Sequence, residues 1–461
     1  MQRTLRAHPI SPFLVLGTVE ASLFFIAANI GLIASYAKVA SVLELAAFLP
    51  QTVFFAATIV VLAFSLGLYN RQFGVVFSEI FTRVVVTSIL SFFCLSFFYY
   101  LFPGLALWRS AIVVAFPISF FGWLALRWCF VSFYHSDAVK RRLLVIGTGD
   151  KAARIERRER LNGTASFVCN GFVHVPPEER RIPSARILPN AASLLPYVRE
   201  HGIDEIVIAL TERRGTLPMT ALVDCRLAGI PIESYQAFCE RETGKVDIDD
   251  LRADWFLFSG GFPGSRIQLL LKRALDIATS AFLLVLAWPI MAAAALAVRL
   301  EDGGPVFYRQ ERVGVAGRPF QLMKFRSMRT DAEADGVARW AQNNDERITA
   351  IGSVIRKLRI DELPQLFNVL KGDMSFVGPR PERAEFVQTL SSRWPFYLQR
   401  HSVKPGLTGW AQINFRYGSS MEDSKEKLSY DLYYVKHFSI IFDVLIILQT
   451  LRVVIWTDGA R

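Results

Sequence analysis

The sequence predicts a membrane protein with three folded parts: an α-helical transmembrane bundle, an α/β Rossmann-like domain, and a helical carboxy-terminal part with one further membrane segment. Three observations favour this fold class. Hydrophobic residues make up 52% of the 461 residues, more than a single soluble domain needs. Apolar stretches of membrane-spanning length occur in the first third and once more later. Between them the pattern changes to short strands and glycine turns.

The first part, residues 1–139, contains four apolar stretches at 13–34, 42–66, 84–101 and 111–133, each about long enough to cross a bilayer. Positively charged residues are more numerous in one set of connecting loops than in the other. One set of loops carries Arg3, Arg6, Arg71, Arg83, Lys140, Arg141 and Arg142, and the other carries Lys38 and Arg109. By the positive-inside rule the amino terminus is cytoplasmic, and four crossings return the chain to the cytoplasm.

Three polar residues lie within or beside these stretches: Glu20, Asn29 and Glu44. Ionisable groups inside a membrane can mark a transport or proton pathway. Groups packed between helices or near helix ends more often have a structural role, and that interpretation is favoured here.

Residues 140–245 predict a Rossmann-like domain. A short apolar strand at 143–146 leads into Gly147-Thr148-Gly149, and a second strand is expected at 203–210. The acidic residue expected about twenty positions later is missing, because Cys169 and Asn170 stand there. A fold-only or regulatory domain is therefore favoured over a working cofactor site. Residues 246–266 are interpreted as a connector.

The net charge and the cysteine count limit the classes of partner and of structural site that the protein could have. The formal net charge of +11 suits nucleic acid, anionic lipid or a phosphorylated substrate. The cations lie in membrane-flanking loops and in one motif-rich region, so nucleic acid is excluded as a partner. The five cysteines are odd in number and include no CxxC pair, which argues against a disulfide framework or a zinc site.

The later membrane segment, residues 267–300, has Pro289 inside its apolar run. A proline removes a backbone donor and clashes with the preceding turn, so a kink or reversal is expected there. Lys272 and Arg273 lie in its first part, and Arg299 lies at its end, which places positive charge at both ends. A re-entrant helix that breaks at Pro289 is favoured over a kinked transmembrane helix. Residues 438–456 predict an interfacial helix with a polar edge at Asp443, Gln449 and Arg452.

The region between these two segments contains the candidate catalytic and ligand-binding residues. The adjacent carboxylates Asp361 and Glu362 occur among cations in four short motifs, namely Lys324-Phe325-Arg326, Arg356-Lys357, Gly378-Pro379-Arg380 and Lys404-Pro405-Gly406. Arginine and lysine bind phosphate oxygens, and carboxylates bind Mg²⁺ when phosphates complete its shell. A carboxylate can also attack phosphorus and form a covalent intermediate. The alternative is a solvated basic surface with one ordinary acidic pair.

The region from about Lys272 to the end resembles the bacterial sugar transferase family, the polyprenyl-phosphate hexose-1-phosphate transferases. The resemblance covers about 190 residues and all four motifs in order. The amino-terminal helices and the Rossmann-like part are similar to the large, exopolysaccharide-initiating members. One departure is Trp288 before Pro289, where many members carry serine.

The resemblance implies a mostly α monotopic catalytic domain, residues 267–461, held in the bacterial cytoplasmic (inner) membrane by a re-entrant helix. It implies Asp361 as nucleophile and Glu362 as ligand of Mg²⁺. Lys324, Arg326, Arg356, Arg380 and Lys404 are the expected substrate-binding residues. The expected partners are a UDP-sugar, undecaprenyl phosphate and membrane lipid. Transfer of sugar-1-phosphate to the lipid would release UMP. The sugar, the polymer and a homo-oligomeric state stay open.

Two other classes remain open at this point. A metal-dependent glycosyltransferase could use Asp247-Ile248-Asp249 as a DxD-like site, although a turn or helix cap is the favoured interpretation. A non-enzymatic membrane scaffold could use the Rossmann-like domain to sense a nucleotide.

Overall fold

The computed structural model describes residues 12–35, 42–70, 77–134, 140–161, 165–188, 194–211, 217–262, 265–330, 332, 347–415 and 420–456. The chain forms two compact units, residues 1–238 and 239–461. Arg3, Arg6, Lys38 and Arg71, which orient the predicted helices, lie outside the described residues.

In the described part of the first unit, five apolar helices occupy the region where four spans were predicted. They are α1 (Pro12–Ser35), α2 (Val42–Ala47), α3 (Leu49–Ser65), α4 (Phe77–Leu101) and α5 (Arg109–Tyr134). Helices α1, α4 and α5 are long and apolar enough to cross a membrane. The second predicted span is divided at Phe48, where α2 ends and α3 begins with Pro50 in its first turn. Proline is common in the first turn of a helix, because a backbone N–H there has no hydrogen-bond partner within the helix.

Glu20 has a structural partner inside this helical bundle. Its carboxylate lies 2.6 Å from Nε of Arg127, and both side chains are fully buried. The Tyr69 hydroxyl donates to the same carboxylate, and Arg127 also donates to the Leu68 carbonyl. A buried charge is tolerated when it is paired and hydrogen-bonded. This geometry supports the structural interpretation of Glu20.

A parallel sheet follows, as the glycine turn predicted. Its strands are β1 (Arg141–Ile146), β2 (Phe167–Val173), β3 (Ile187–Leu188), β4 (Glu205–Ile208) and β5 (Ile232–Ser234), in the order β3-β2-β1-β4-β5. The covering helices are α6 (Asp150–Leu161), α7 (Leu194–Glu200), α8 (Met219–Leu227) and α9 (Tyr235–Thr243). The strand order reverses between β1 and β4, and in open α/β sheets ligands bind at that point, beyond the carboxyl ends of the strands.

A side chain of the protein itself occupies this point. The Glu178 carboxylate accepts the backbone N–H of Thr148, after β1, at 2.8 Å and that of Thr211, after β4, at 3.3 Å. A Cβ atom on Gly149 would lie 2.7 Å from the Glu178 carboxylate, so a larger residue there would displace this carboxylate. The carboxylate therefore uses the backbone donors and the close approach that a bound phosphate uses in a nucleotide site.

The second unit has one long helix and several short elements. The long helix is α11 (Arg266–Asp302), and β6 (Phe307–Val313) and β7 (Pro319–Phe325) form an antiparallel hairpin. Strands β8 (Ser375–Val377) and β9 (Gly406–Thr408) pair in parallel. The remaining helices are α10 (Ala253–Phe258), α12 (Ala350–Lys357), α13 (Gln365–Lys371), α14 (Ala384–Arg393), α15 (Trp410–Asn414), α16 (Met421–Lys436) and α17 (Ile440–Trp456).

Helix α11 continues through Pro289 for 37 residues. One stripe of it packs against the rest of the unit at both ends, with Lys272 and Asp276 buried near the start and Ala294 and Val298 buried near the end. Large apolar side chains cover its other faces, and Phe282, Val285, Leu286 and Trp288 are each about two-thirds exposed or more. The structure thus has a continuous helix where the sequence predicted helical segments separated by a break.

The predicted interfacial helix and the predicted connector both pack against the protein in the structure. The polar residues of α17 face the protein, because Asp443 is fully buried and Arg452 donates to the Ile413 carbonyl. The stretch predicted as a connector packs into a hydrophobic cluster through Val246 and Trp255. Within it, Asp247 accepts the backbone N–H of Asp249 as the cap of a short 3₁₀ helix. The capping interpretation of this Asp-Ile-Asp triplet is confirmed.

The Glu178 contact predicts a local loss of stability. Replacing Glu178 by Ala leaves the Thr148 and Thr211 amides without their charged acceptor, which costs about 1.5–3 kcal/mol. Hydrogen exchange of the peptide that contains Thr148 should become faster. Glu179→Ala is the matched control, because the exposed Glu179 side chain pairs with exposed Arg181. Equal exchange in the two variants would contradict a structural role for the Glu178 carboxylate.

Candidate active site

A tight turn between two helices presents the two adjacent carboxylates. Helix α12 begins at the Thr349 cap, and after it Arg359 adopts a left-handed conformation with φ of 55°. A short 3₁₀ helix, Ile360–Glu362, then carries both carboxylates into α13. A left-handed residue other than glycine costs about 1–2 kcal/mol. The Arg359 guanidinium lies 3.6 Å from the Glu362 carboxylate, and this ion pair offsets part of that cost.

Glu362 is surrounded by three cations from separate elements. Arg380, which follows β8, approaches Oε1 to 2.6 Å, and Lys324 on β7 approaches the same atom to 3.4 Å. Arg359 is on the Oε2 side. Burial alone would raise the pKa of Glu362, but Arg380, Lys324 and Arg359 together lower it well below its usual range. Glu362 is therefore ionised at any physiological pH.

The pKa of Asp361 is shifted in the opposite direction, upward. It is 9% exposed, and burial together with the neighbouring charge of Glu362 raises the pKa of its carboxyl to about 6. Lys324, Arg356 and Arg380 counteract part of this rise. The two carboxylates thus have separated affinities for a proton, which is common among catalytic groups. Asp361 is mostly ionised near neutral pH but poorly solvated, and this combination suits a nucleophile.

Three of the five predicted substrate-binding cations act on this carboxylate pair, namely Lys324, Arg356 and Arg380. The other two make different contacts. Arg326 forms an ion pair with Asp302 at the end of α11. Burial and the charge of Arg273 lower the pKa of Lys404, and its amine lies beside Gly372. The structure therefore associates Arg326 with the end of α11 and Lys404 with the end of α13.

The sequence analysis did not select Arg359, which the structure brings to the site. A signal was available, because residues three apart on a helical turn face the same side, and Arg359 stands three positions before Glu362. The left-handed conformation at Arg359 could not be foreseen, since glycine, asparagine or aspartate is the usual residue there.

The two glycine-proline motifs support the site through their backbones. The Gly378 N–H donates to the Thr408 carbonyl, and the Gly406 N–H donates to the Pro379 carbonyl. A Cβ atom on Gly378 or Gly406 would lie 2.1–2.3 Å from backbone atoms of the partner segment. The glycines therefore allow a close contact between two chain segments, and this contact fixes the backbone from which Arg380 reaches Glu362.

The carboxylate pair fits Mg²⁺ by donor type, since one or two carboxylates plus substrate phosphates form a usual Mg²⁺ shell. Among the described residues, no group of three or more metal-ligating side chains occurs. The cations at Glu362 compete with a metal for its Oε1 atom. A metal held here would therefore need oxygens from the substrate.

The carboxylate site lies within a part of the chain that matches a known protein family. The family profile described as bacterial sugar transferase matches residues 267–457, and a profile described as CoA-binding domain matches residues 65–217. The chain is 45% identical over 240 residues to the UDP-N-acetylgalactosamine-undecaprenyl-phosphate N-acetylgalactosaminephosphotransferase of Aeromonas hydrophila, covering 52% of this chain and 56% of that protein.

Two further relatives carry a common name, UDP-glucose:undecaprenyl-phosphate glucose-1-phosphate transferase. The Xanthomonas campestris protein is 40% identical over 326 residues, covering 67% of this chain and 66% of that protein. The Caulobacter vibrioides protein is 41% identical over 203 residues, covering 43% of this chain and 76% of that protein. The matches thus span less than two thirds of the first two relatives and about three quarters of the third. The chain belongs to the bacterial sugar transferase family, as the order of its motifs predicted.

Proposed function

We propose that this protein transfers a sugar-1-phosphate from a UDP-sugar to undecaprenyl phosphate and releases UMP. The buried carboxylate pair is the observation that carries the proposal, because one member is held ionised by three cations while the other has a raised pKa. Such a site suits a polyphosphate substrate and a carboxylate nucleophile. The names of the relatives describe this class of reaction.

The reaction proceeds in two balanced steps. An Asp361 oxygen attacks the sugar-bearing phosphorus, the anhydride bond to the nucleotide phosphate breaks, and UMP leaves with the electron pair. An oxygen of polyprenyl phosphate then attacks the same phosphorus, and the bond to Asp361 breaks to restore the carboxylate. One anhydride replaces another, so the barrier is lowered by positioning and charge stabilisation.

The basic side chains have separate roles in these steps. Arg380 and Lys324 hold Glu362 and present their remaining donors to phosphate oxygens. Arg356 favours the ionised form of Asp361 through its charge. Bound Mg²⁺, with Glu362 as its protein ligand, would neutralise charge on the diphosphate.

The contacts of α11 support a re-entrant placement on the cytoplasmic face of the inner membrane. A straight helix of 37 residues is about 55 Å long, whereas the hydrocarbon core is about 30 Å thick. Both ends of α11 nevertheless contact the same unit, through Arg273 with the Val369 carbonyl and through Arg326 with Asp302. A bilayer cannot separate two ends that bind one folded body. The exposed apolar faces of α11 then enter a single leaflet.

The first prediction separates the two carboxylates. Asp361→Asn removes the nucleophile and should reduce transfer to background at any Mg²⁺ concentration. Glu362→Gln should retain measurable transfer that improves as Mg²⁺ rises. Wild-type enzyme given UDP-sugar without lipid should release at most one UMP per site in a burst. An active enzyme with neither this burst nor a labelled aspartate would contradict the covalent route.

The second prediction concerns pH. The pKa of Asp361 is raised to about 6, and only its ionised form attacks, so transfer should fall about tenfold per pH unit below that value. Arg356 lowers this pKa, so Arg356→Gln should move the acidic limb of the rate profile to higher pH. Lys357→Gln removes a neighbouring exposed charge and serves as the control. A limb that does not move in Arg356→Gln would exclude Asp361 as the titrating group.

The third prediction concerns topology. In a cysteine-free variant with confirmed activity, cysteines replacing Ser265 and Arg309 flank α11 at exposed positions. Both should react with a membrane-impermeant maleimide only in inverted vesicles. Gly104→Cys, in the exposed loop between α4 and α5, should react only from the opposite face. Labelling of positions 265 and 309 from different faces would show that α11 spans the membrane.

A further inference from the structure

An asparagine side chain occupies the open edge of the hairpin that carries Lys324. Within the described part of the chain, β7 pairs with β6 alone, so the backbone groups at its other edge need partners. The Asn368 amide nitrogen donates to the Gln321 carbonyl at 2.7 Å, and its Oδ1 atom accepts the Met323 N–H at 3.0 Å. A side-chain amide has the same donor and acceptor as a peptide group. Asn368 therefore acts as one residue of a third strand and joins α13 to β7.

Asn368 is an unusual residue for its place in the chain. It lies inside α13 and is 6% exposed, whereas asparagine is a poor residue for a helix interior because its side chain competes for backbone groups. Leu366 and Val369 beside it are fully buried, and the Asn368 carbonyl accepts the Gly372 N–H at 3.0 Å at the end of the helix. Packing and the helix backbone thus hold Asn368 in one place, and its two hydrogen bonds to β7 offset the cost of burying the amide.

The two segments that Asn368 joins are the ones that bring Lys324 to the carboxylate pair. Lys324 directly follows Met323 on β7, and Glu362 lies in the turn that leads into α13. The Lys324 amine lies 3.4 Å from Oε1 of Glu362. A lysine amine ends a flexible four-carbon chain, so the position of the lysine backbone decides which carboxylate the amine reaches. Arg380 approaches the same oxygen from a different segment, after β8. The Asn368 contact therefore controls one of the cations at Glu362 and leaves Arg380 in place.

We propose that Asn368 is a positioning residue for the transfer reaction. Its amide fixes β7 against α13, so that the Lys324 amine meets Glu362 and the substrate phosphates at a constant place. The inference rests on the proposed function, in which Lys324 presents its remaining donors to phosphate oxygens, and Asn368 acts through this lysine. A substitution that keeps the shape of Asn368 but removes its amide should release β7. The contribution of Lys324 is then lost, while Asp361 and Arg380 remain in place.

The first measurement does not depend on transfer. A carbodiimide joins an amine to a carboxylate that already forms an ion pair with it, so it should join Lys324 to Glu362 in the full chain in lipid nanodiscs. Asn368→Leu keeps the shape of asparagine without its amide and should reduce the yield of this crosslink about fivefold or more. Crosslinking of Lys245 to Glu426, an ion pair elsewhere in the same unit, is the internal reference and should not change. Unchanged crosslinking of Lys324 to Glu362 would overturn the proposal.

The second measurement is a double-mutant cycle on kcat/KM, followed as UMP release with a panel of UDP-sugars as donors and undecaprenyl phosphate as acceptor. Asn368→Leu and Lys324→Gln should each lower kcat/KM about 10–100-fold. Because both changes act through the same amine, Asn368→Leu should lower kcat/KM by less than about threefold more in the Lys324→Gln background. Val387→Ala, in a separate hydrophobic cluster with Trp394, is the control for lost stability. Any effect of Val387→Ala should multiply with that of Lys324→Gln.

The outcomes separate this inference from the proposed function. Losses that multiply when Asn368→Leu and Lys324→Gln are combined would overturn the proposal, and so would full activity of Lys324→Gln. Met323→Pro removes the same hydrogen bond from the β7 side, at a strand edge where proline is tolerated, and supplies both measurements if Asn368→Leu does not fold. Reduced crosslinking in either variant, together with a wild type that transfers no sugar phosphate, would support the positioning by Asn368 and refute the proposed function.

Discussion

The buried contact between Lys272 and two aspartates connects the membrane helix to the site. The Lys272 amine lies 3.1 Å from Asp276 and 3.0 Å from Asp443, and it donates to the Val377 carbonyl. Asp276 also accepts the Ser375 hydroxyl and the Phe376 N–H. Removing one partner of such a buried pair costs about 3–5 kcal/mol, because an unpaired charge remains. Helices α11 and α17 and strand β8 are thus held in one arrangement.

This arrangement extends to the chemistry through the backbone. Strand β8 leads directly into Gly378, whose close contact with Gly406 fixes the start of the segment that carries Arg380. Arg380 in turn binds Glu362 and keeps it ionised, and the Glu362 charge raises the pKa of Asp361. The position of α11 and the pKa of Asp361 therefore both depend on contacts of one segment, which runs from β8 to Arg380.

In the first unit, buried or partly buried charged side chains make structural contacts at positions where the sequence alone allowed a functional role. Glu20 pairs with Arg127 among the helices, and Glu178 fills the crevice at the carboxyl ends of β1 and β4. Glu20 neutralises the buried Arg127 charge, and Glu178 accepts the backbone N–H of the buried Thr148. These contacts favour a fold-only or regulatory role for the Rossmann-like part, because a ligand phosphate would have to displace Glu178 from the glycine turn.

The sequence by itself determined the apolar helices, the parallel α/β sheet and the carboxylate pair with Lys324, Arg356 and Arg380. These follow from local signals: apolar length, glycine turns, and opposite charges in motifs of one region. Only the tertiary structure decided that Arg326 and Lys404 contact other groups and that Asp443 of α17 faces inward. Those outcomes depend on which face of an element meets a segment distant in sequence. Residue type and spacing do not encode that choice, because a cation lowers its free energy beside any carboxylate that the packing brings within reach.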